Sequence, residues 1–571
     1  MDASRNSDGL SLTGKRWVWP EPQNVGDRIA GVAPLIGEIL VRRGVASSAE
    51  LSHYLQPSLT SLDDPMSMAD MAKAVERILA ARAQRQTIVV FGDYDVDGVS
   101  STAILIGFFR AIGLKTMFYI PDRRAEGYGL NAQAVRELAS QAQLLVTVDC
   151  GITAIAEIEL ARTLGLDVIV VDHHQPPPTL PPSIANLDPH RADCGYPFKD
   201  LCAAGVAFFL AAALRRALRD AGAFASLPEP DLRDSLDLVA LATVADMVPL
   251  KGANRTLVAA GLRRMTANKR PGLKALFEVA NVDAAQVTAT DLSFRIGPRI
   301  NARGRIGNAL EAVDLMLTDD PERARALAAG LDKANRERRD LEVQTVEIAA
   351  GRAAAGLDAN RAGLVLYDPC WHPGILGLVA TRLVSRFHRP AIVIGENGKG
   401  SGRTFEGLDL HATIESVGHL LERFGGHRAA AGVTVRQDRV DEFSHAFDAE
   451  VRRRLGEPPF VPTLRPDAEV DADTLSLSLL GQIERLAPFG QANPEPLMVA
   501  RRMKVKDLRR VGDNHLKLRL GDKAHDAIGF GLAGLASQMP EWVDVAFHLN
   551  RNTYGGRESV QLKIEDLRRS S

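Results

Sequence analysis

Short apolar segments alternate with helical segments between residues 87 and 221, and this alternation constrains the fold more than any other feature of the chain. The apolar segments are Thr87–Phe91, Lys115–Ile120, Leu144–Val148, Asp167–Val171 and Ile184–Leu187. Helices are predicted at Val99–Ile112, Asn131–Ala142, Ile155–Leu164 and Ala203–Ala221. Apolar strands that alternate regularly with helices predict an α/β fold with a doubly wound parallel sheet.

Three carboxylates follow the first apolar segment within the sequence VVFGDYDVDGV, residues 89–99. Asp93, Asp95 and Asp97 occupy alternate positions, so in an extended loop they point the same way. Three like charges this close together are costly unless a cation neutralises them, which favours a metal site. An exposed acidic turn is the alternative. An EF-hand loop is excluded because its twelfth position, counted from Asp93, is Ile104 rather than glutamate.

Acidic residues and histidines also follow later segments of the predicted sheet. Asp149 follows VTV, and Asp172, His173 and His174 follow VIVV, while Asp246 ends a helical segment in LATVADMVPL. Taken singly, His174 or Asp246 is more often a hydrogen-bonded structural residue. The carboxyl ends of parallel strands meet at one edge of a sheet, however, and ligands bind there. Carboxylates and imidazoles collected at that edge predict a two-metal hydrolase site that suits Mn²⁺ or Mg²⁺.

Further domains are predicted on either side of this sheet. Helices are expected at Pro34–Leu55 and Met68–Ala81, and a long charged connecting helix at Pro321–Gly356. The segments of a second, smaller α/β unit are the strand Gly363–Tyr367, the helix Gly374–Phe387, the strand Pro390–Ile394 and a glycine-rich turn at Gly398–Arg403. After a proline-rich linker, Gly456–Pro466, the strands of a small β-barrel are predicted at Met498–Leu508, His515–Leu520, His525–Phe530, Val543–Leu549 and Val560–Leu567.

Composition narrows the class of protein without deciding it. The chain has 69 Lys and Arg against 71 Asp and Glu, a net charge of −2, which argues against a uniformly basic DNA coat but not against a local basic channel. The four cysteines form no CxxC pair, which argues against a zinc ribbon and favours a reducing, cytoplasmic location. We expect no secretory signal and no membrane span, because no long apolar run is present.

The motifs GDYDVDG, VTVDCG, VDHH and ATVADMVPL resemble, in order, the four motifs of the DHH phosphoesterase superfamily. The sequence GGHRAAAG, residues 425–432, resembles the associated DHHA1 domain, and the length and the added barrel resemble the bacterial single-strand-specific exonucleases of the superfamily. The resemblance covers roughly Pro34 to the C-terminus. It implies a metal-dependent 5′→3′ exonuclease that hydrolyses single-stranded DNA to 5′-mononucleotides in DNA repair and recombination. Its cofactors would be two divalent cations, Mn²⁺ or Mg²⁺.

The resemblance also implies roles for the residues at the sheet edge. According to the resemblance, Asp93 and Asp95 would bind the first metal, and Asp97, His173 and Asp246 would bind the second. Asp149 would bridge the two metals. His174 would lie close to the scissile phosphate, and Asp172 would orient the histidines.

Two arginine-containing stretches are candidates for holding nucleic acid. In PDRRAEGYGL, Arg123 and Arg124 could grip phosphate and Tyr128 could stack on a base; a plain charged loop is the alternative. Residues 295–309, RIGPRINARGRIGNA, carry arginines without one acidic residue, which is typical of an anion-binding stretch. The positions that the resemblance brings close to nucleic acid there are Arg299, Asn301 and Arg303.

The second unit and the barrel carry further candidates. Ser401 and Arg403 lie on the glycine-rich turn, whose backbone N–H groups could cradle a phosphate, although most such turns are ordinary hairpins. The resemblance implies that this pair holds the 5′ phosphate, and that Gly425, Gly426 and His427 form a substrate-facing loop. Residues 501–519 contain eight Lys or Arg and two Asp, which favours an OB-fold that binds single strands; a solvated basic face is the alternative.

The predicted domains are an N-terminal helical arm (1–82), a DHH catalytic domain (83–320), a connecting helix (321–356), a DHHA1 domain (357–457) and an OB-fold-like domain (463–571). The partners that the resemblance implies are single-stranded DNA, single-strand-binding protein and a RecQ-type helicase, with no membrane and a monomeric state. Two other functions stay open: a phosphodiesterase of cyclic dinucleotides or oligoribonucleotides, and a non-catalytic DNA-binding scaffold. Missing metal ligands would mark the scaffold, and none is missing here.

Overall fold

The computed structural model describes residues 9–19, 32–123, 125–267, 269–357, 360–554 and 556–570. The strands are β1 (Arg16–Trp17), β2 (Thr87–Gly92), β3 (Lys115–Tyr119), β4 (Leu144–Val148), β5 (Asp167–Val171), β6 (Ala185–Leu187), β7 (Leu364–Tyr367), β8 (Ala391–Ile394), β9 (Lys399–Arg403), β10 (Arg423–Gly426), β11 (Ala430–Thr434), β12 (Thr463–Leu464), β13 (Ala468–Glu469), β14 (Met498–Val511), β15 (His515–Leu520), β16 (His525–Phe530), β17 (Trp542–Tyr554) and β18 (Arg557–Arg569).

The α-helices are α1 (Pro34–Arg42), α2 (Ser48–Leu55), α3 (Met71–Ala83), α4 (Val96–Ala111), α5 (Ala132–Ala139), α6 (Ile155–Thr163), α7 (Ala203–Asp220), α8 (Leu236–Ala245), α9 (Gly252–Thr266), α10 (Pro271–Ala280), α11 (Ala289–Asp291), α12 (Gly297–Ile306), α13 (Leu310–Leu317), α14 (Pro321–Leu357), α15 (Leu376–Phe387), α16 (Leu410–Ser416), α17 (Val440–Leu455) and α18 (Leu477–Glu484). A π-helix, Leu292–Ile296, joins α11 to α12. None of the described helices is long and apolar enough to cross a membrane.

The predicted parallel sheet is confirmed. Its strand order is β3-β2-β4-β5-β6, and every pair is parallel. The side chains of β2 alternate between two apolar cores: Ile88 and Val90 pack with α4 and α7, whereas Val89 and Phe91 pack with α5 and α6. Because both faces are covered by helices, the strands are continuous apolar runs and their carboxyl ends share one edge.

The helix predicted at Pro34–Leu55 is two helices, so that prediction is wrong in the middle. Helix α1 ends at Arg42, and Gly44 adopts a positive φ of 87°, which ends a helix readily because glycine has no Cβ. Helix α2 starts afresh, with the Ser47 side chain accepting the N–H of Glu50 as an N-cap.

The second α/β unit has a mixed sheet in the order β10-β11-β9-β8-β7. The predicted glycine-rich turn at Gly398–Arg403 is instead the strand β9, which pairs antiparallel with β8 and with β11. The glycines permit close packing: a Cβ at Gly400 would lie 2.8 Å from Val433 Cγ2. The backbone N–H groups of this strand serve the sheet, so the prediction that they cradle a phosphate in a turn is wrong.

The predicted barrel is confirmed, and the described part of the N-terminus packs against it. The strands follow the order β14-β15-β16-β18-β17, and β14 pairs with β17 to close the barrel. The strand β1 pairs with β12 inside the predicted linker, and Trp17 Nε1 donates to Asp566 Oδ2 at 2.7 Å. Residues 9–19 therefore belong with the barrel and not with a helical arm that starts at residue 1.

The described residues form two compact units: those within 1–22, 336–477 and 497–571 form one, and those within 23–335 and 478–496 form the other. Residues 478–496 thus belong with the parallel sheet, although the prediction placed them in the barrel domain. Several contacts hold them there: the buried Arg255 on α9 donates to the carbonyls of Leu486 at 3.0 Å and Ala487 at 2.7 Å, and the Tyr54 hydroxyl donates to Asn493 Oδ1 at 2.7 Å. The other predicted boundaries stay a prediction.

Candidate metal centre

The first acidic motif is held at the carboxyl end of β2 by its own backbone. Asp95 caps α4, because its Oδ1 accepts the N–H of Asp97 at 2.9 Å and of Gly98 at 3.1 Å. A Cβ at Gly98 would lie 2.4 Å from the carbonyl oxygen of Asp93, so only glycine allows the loop to fold over the helix start. The loop is therefore rigid, with Asp93 buried beneath it.

Asp97 is fixed by a second helix. It is 1% exposed, and its two carboxylate oxygens accept the N–H groups of Ala203 at 2.7 Å and Ala204 at 2.8 Å. These N–H groups belong to the first turn of α7, where a helix leaves its backbone donors without partners. The charge of Asp97 thus satisfies the start of α7 and is held at the sheet edge.

Side chains from three other elements converge on this motif. His173 Nε2, after β5, lies 3.2 Å from Asp149 Oδ1, 3.7 Å from Asp97 Oδ2 and 3.6 Å from Asp246 Oδ2. The sets whose ligand atoms lie within 4.8 Å of one another are Asp93 with Asp95 and Asp149, Asp97 with His173 and Asp246, and Asp149 with His173 and His174. The first two of these sets together contain all six predicted ligands, and each of the two can hold a divalent cation.

The electrostatics of the cluster fit cations. Burial, reinforced by neighbouring carboxylates, raises the pKa of Asp93, Asp149 and Asp246, and raises that of Asp97 to about 7. Asp93 Oδ1 is buried and has no hydrogen-bond partner. Buried carboxylates without counter-charges are costly, and bound divalent cations would remove that cost.

Asp172 organises the two histidines. Its carboxylate accepts the N–H groups of Ile152 at 3.0 Å and His173 at 2.8 Å, and the ring Nδ1 of His174 lies 2.7 Å away. Burial alone would raise the pKa of Asp172, but the hydrogen bond and charge of His174 outweigh it and lower that pKa. Burial would lower the pKa of His174, but Asp172 outweighs it and raises that pKa to about 9. The pKa of His173 shifts the other way, because burial and the charge of His174 lower it to about 4.

The first substrate-holding stretch lies beside this cluster. Tyr128 is 54% exposed, and its hydroxyl donates to the carbonyl of Asp149 at 3.0 Å, while its ring meets that of His174 edge-on with centroids 5.9 Å apart. The guanidinium of Arg123 lies 5.0 Å from the centre of the Tyr94 ring. Arg124 lies outside the described residues. The Tyr128 ring is thus positioned at the metal centre by the chain that carries Asp149.

Three of the four arginines of residues 295–309 have acidic partners, which come from neighbouring segments. The pairs are Arg295 with Asp291 at 3.1 Å, Arg299 with Asp332 at 3.0 Å and Arg303 with Glu311 at 2.7 Å. These pairs partly neutralise the stretch, and the prediction that it binds an anion stays a prediction. Absence of acids within a segment does not exclude acids from the helices that pack on it.

Asn301 contacts the metal-binding motif itself. Its Oδ1 accepts the N–H of Val96, between Asp95 and Asp97, at 3.0 Å. A Cβ at the nearby Gly304 would lie 2.7 Å from the carbonyl oxygen of Tyr94. Asn301 was predicted to bind substrate, but the structure uses its side-chain oxygen to hold the ligand loop, and the sequence carries no signal for a contact between residues 205 positions apart.

The remaining substrate candidates lie in the other unit. Arg403 on β9 donates to the carbonyl of Gly402 at 2.8 Å, and burial lowers its pKa. A Cβ at Gly377 would lie 2.8 Å from Arg403 Nη2, so the guanidinium rests on the first turn of α15, close to Ser401 along the same strand.

The GGH motif is a hairpin. Gly425 and Gly426 end the exposed strand β10, and His427 donates its N–H to the carbonyl of Ala430 at 2.8 Å as the chain turns into β11. The side chain of His427 is exposed.

The basic barrel segment is partly neutralised. Lys504 pairs with Glu541 at 3.2 Å and Lys517 with Asp526 at 2.6 Å, while Arg509 is exposed on β14.

Sequence reasoning missed Asp188, which directly follows β6. It is fully buried, its Oδ1 accepts the N–H of His190 at 2.7 Å, and its Oδ2 has no hydrogen-bond partner. Burial, with the charge of Asp172, raises its pKa to about 7. The signal was present, because Ile184–Leu187 is followed by an aspartate just as the earlier strands are. Asp188 extends the acidic edge behind Asp172.

Comparison with known proteins agrees with this geometry. The model of the DHH family, N-terminal domain, matches residues 87–243, that of the DHHA1 domain matches residues 360–453, and that of the RecJ OB domain matches residues 466–566. The first match contains the acidic motif and both histidines, and the last covers the barrel.

Relatives and solved structures match nearly the whole chain. The single-stranded-DNA-specific exonuclease RecJ of Dickeya dadantii is 40% identical over 557 residues, 93% of this chain and 96% of the relative, and that of Escherichia coli is 37% identical over 570 residues, 96% and 98%. The crystal structure of RecJ in complex with Mn²⁺ from Thermus thermophilus has a TM-score of 0.85 and 32% identity, covering 98% of this chain and 80% of that chain. With its metal centre, DHHA1 domain and closed barrel, the chain belongs to the RecJ family of the DHH superfamily.

Proposed function

We propose that this chain is a divalent-metal-dependent exonuclease that hydrolyses single-stranded DNA from the 5′ end to 5′-mononucleotides, in DNA repair and recombination. The observation that carries the proposal is the convergence of six ligand residues into two sets at one sheet edge. The relatives at 34–40% identity over most of the chain bear the name single-stranded-DNA-specific exonuclease, which supports this substrate.

The chemistry follows from the side chains at the sheet edge. Two divalent cations held there, Mn²⁺ or Mg²⁺, would supply an activated water and stabilise charge on the leaving oxygen of an in-line displacement. We assign Asp93 and Asp95 to one cation, and Asp97, His173 and Asp246 to the other, because the members of each set lie close together, with Asp149 shared. The low pKa of His173, about 4, keeps its imidazole neutral and able to act as a ligand.

His174 has a different role in the proposal. Without bound cations its pKa is raised to about 9 by Asp172, so that the imidazole is charged at neutral pH, and Asp172 holds its ring through Nδ1. A charged imidazole at the metal centre can donate a hydrogen bond to a phosphate oxygen and stabilise the charge that develops there. His174 thus acts on the phosphate, and Asp172 acts through His174.

Strand binding is assigned to groups in both units. Tyr128 offers an exposed ring for stacking and Arg123 a cation at the metal centre. Arg403 has a half-buried guanidinium with no acidic partner among the described residues, which supports a role with Ser401 in holding a 5′ phosphate. We propose the exposed hairpin of Gly425, Gly426 and His427 as a further strand contact, and leave Arg299 and Arg303 as weaker candidates because each already has an acidic partner.

The family resemblance implies the wider setting of the proposal: single-strand-binding protein and a RecQ-type helicase as partners, a monomeric state and a cytoplasmic location. The two rival functions are less well supported. The match to the RecJ OB domain disfavours a phosphodiesterase that acts on small cyclic dinucleotides, and the complete ligand set disfavours a non-catalytic scaffold.

An Mn²⁺-dependent assay tests the proposal. Single strands labelled at the 5′ or at the 3′ end, a blunt duplex and a cyclic dinucleotide are incubated with the full chain, with EDTA as the control. We expect the 5′-labelled strand to release labelled mononucleotide from the start of the reaction. The 3′-labelled strand should become progressively shorter, and the duplex should be degraded little. Activity confined to the cyclic dinucleotide, or cleavage that persists in EDTA, would overturn it.

A further inference from the structure

Two large apolar side chains, Met247 and Phe294, are exposed on segments that adjoin the metal-binding elements, and the proposed chemistry uses neither of them. Met247 is 65% exposed and directly follows the ligand Asp246. Phe294 is 76% exposed, the highest value for a large apolar side chain in the described ranges. Single exposed apolar side chains are common on protein surfaces, so placement has to decide whether these two have a role.

The placement of Phe294 follows from the π-helix Leu292–Ile296 that carries it. At Gly297, directly after that helix, a Cβ would lie 3.4 Å from Ala245 Cβ and 3.8 Å from Val96 Cγ2. These two residues are the chain neighbours of ligands on α8 and α4. Phe294 therefore lies within one turn of a segment packed on the metal-binding elements, in a helix type that is rare and frequently found at functional sites.

The backbone at Met247 is also unusual. Its φ is +60°, a region that residues with a side chain seldom adopt and that is held only when the surroundings enforce it. With this backbone conformation, Asp246 Oδ2 lies 3.6 Å from His173 Nε2, while the side chain of Met247 is exposed to solvent. An apolar side chain is thus held outside the core, next to a ligand.

We propose that Met247 and Phe294 form an apolar platform that packs against the base of a nucleotide at or next to the scissile phosphate. This inference rests on the proposed function and deepens it. A ring face and a thioether pack against any base without reading its sequence, whereas a base within a duplex is already stacked and paired. The platform would therefore make the metal centre dependent on an unpaired base, and Met247 and Phe294 would be specificity-determining residues.

Strands that lack one base test the platform. Otherwise identical 5′-phosphorylated strands carry an abasic residue at the first, second or third position, and cleavage is compared with that of the intact strand. We expect wild type to cleave one of the abasic strands about tenfold more slowly, and a Met247→Ala/Phe294→Ala variant to cleave the intact and that abasic strand at the same reduced rate. Phe294→Tyr, which keeps the ring, should restore the discrimination when paired with wild-type Met247.

A binding measurement separates the platform from a general loss of activity. With 2-aminopurine at the discriminating position and no divalent ion present, wild type should quench the fluorescence, and the double variant should quench it much less at equal strand occupancy. Leu164→Ala is the matched control, because Leu164 is 45% exposed and follows α6 at the opposite edge of the sheet; it should behave as wild type.

The outcomes distinguish this inference from the function beneath it. A wild type that cleaves every abasic strand as fast as the intact strand would overturn the platform and leave the exonuclease proposal standing. A wild type that cleaves no single strand would overturn the exonuclease proposal and the platform with it.

Discussion

Asp149 lies among carboxylates that repel its own charge. Burial, followed by the charges of Asp95, Asp97 and Asp93, raises its pKa. Without a cation the ionised group opposes folding, and with one it becomes a shared ligand. We predict that Asp149→Asn lowers strand cleavage by about a thousandfold or more and raises the Tm of the metal-free protein. End-labelled strand assays and calorimetry in EDTA measure the two effects.

A control separates the repulsion among these carboxylates from a general effect of removing an acidic side chain. Glu278 lies exposed on α10 in the same unit, so Glu278→Gln should leave both cleavage and Tm at wild-type values. Wild-type cleavage by Asp149→Asn would refute the sharing of Asp149 by both metals. A metal-free Tm equal to or below that of wild type would refute the claim that repulsion at Asp149 destabilises the metal-free protein.

Asn301 supports the ligand loop through one hydrogen bond, from the N–H of Val96. Asn301→Ala leaves that N–H without its partner, so the loop that carries Asp95 and Asp97 becomes less ordered. We predict that Mn²⁺ affinity falls about tenfold or more, as when other groups behind a metal ligand are removed. Calorimetric titration of the metal-free protein with Mn²⁺ measures this, and Asn308→Ala, an exposed asparagine of the same stretch, is the control. Equal affinities would show that Asn301 does not support the loop.

The residues at the sheet edge were predictable to different degrees. The acids after β2, β4 and β5 stand out because apolar strands of a parallel sheet end at a common edge, which places Asp93, Asp149 and Asp172 together. The contact of Asn301 was not predictable, because its partner is distant in the chain and its side chain carries no charge. Acidic partners of the arginines were missed because they lie outside the arginine-rich segment.

Helix α4 contains a matched pair of glycines that tests how the ligand loop is built. A Cβ at Gly98 would lie 2.4 Å from the carbonyl oxygen of Asp93, whereas a Cβ at Gly107 would meet nothing within 4 Å. We predict that Gly98→Ala abolishes Mn²⁺ binding and lowers the free energy of unfolding, because rigid backbone must move. Gly107→Ala should instead stabilise the protein by about 0.5–1 kcal/mol and leave binding unchanged. Titration with Mn²⁺ and denaturant unfolding measure both, and similar behaviour of the two variants would contradict the steric argument.

Among the elements, the buried strands were the most predictable. Strands β4 and β5 have the predicted bounds, because a strand covered on both faces is a continuous apolar run. Helix α4 begins at Val96, before the predicted Val99, since Asp95 itself provides the cap. Strand β9 was predicted as a turn because glycine content records conformational freedom and says nothing about neighbouring strands.

At the scale of the whole molecule, the order of segments along the chain does not give their grouping. Residues 478–496 lie between β13 and β14, two strands that pair with each other, yet they belong to the unit with the parallel sheet. Their composition carries no sign of this, because the contacts that hold them are made largely with backbone carbonyls. The donors include Arg255, a residue on α9 that is 3% exposed, and the Tyr54 hydroxyl, which donates to Asn493 Oδ1 at 2.7 Å.

Arg255 should therefore help to keep residues 478–496 in place. Its guanidinium donates to the carbonyls of Tyr54, Leu486 and Ala487 and lies 3.8 Å from the centre of the Tyr54 ring. Arg255→Met keeps the apolar stem but leaves three carbonyls, of which that of Leu486 is buried, without this donor. We predict a loss of about 2–4 kcal/mol in the free energy of unfolding of this unit and faster amide hydrogen exchange in residues 486–496.

Hydrogen exchange measured by mass spectrometry locates the effect, and the exposed Arg263 on the same helix provides the control. Arg263→Met should exchange as wild type does throughout. In Arg255→Met, peptides from the barrel strands should keep their protection, because those strands pair with one another and not with α9. Unchanged exchange in residues 486–496 would show that other contacts hold the segment, whereas protection lost equally in every peptide would mean that Arg255 stabilises the whole fold and not this segment in particular.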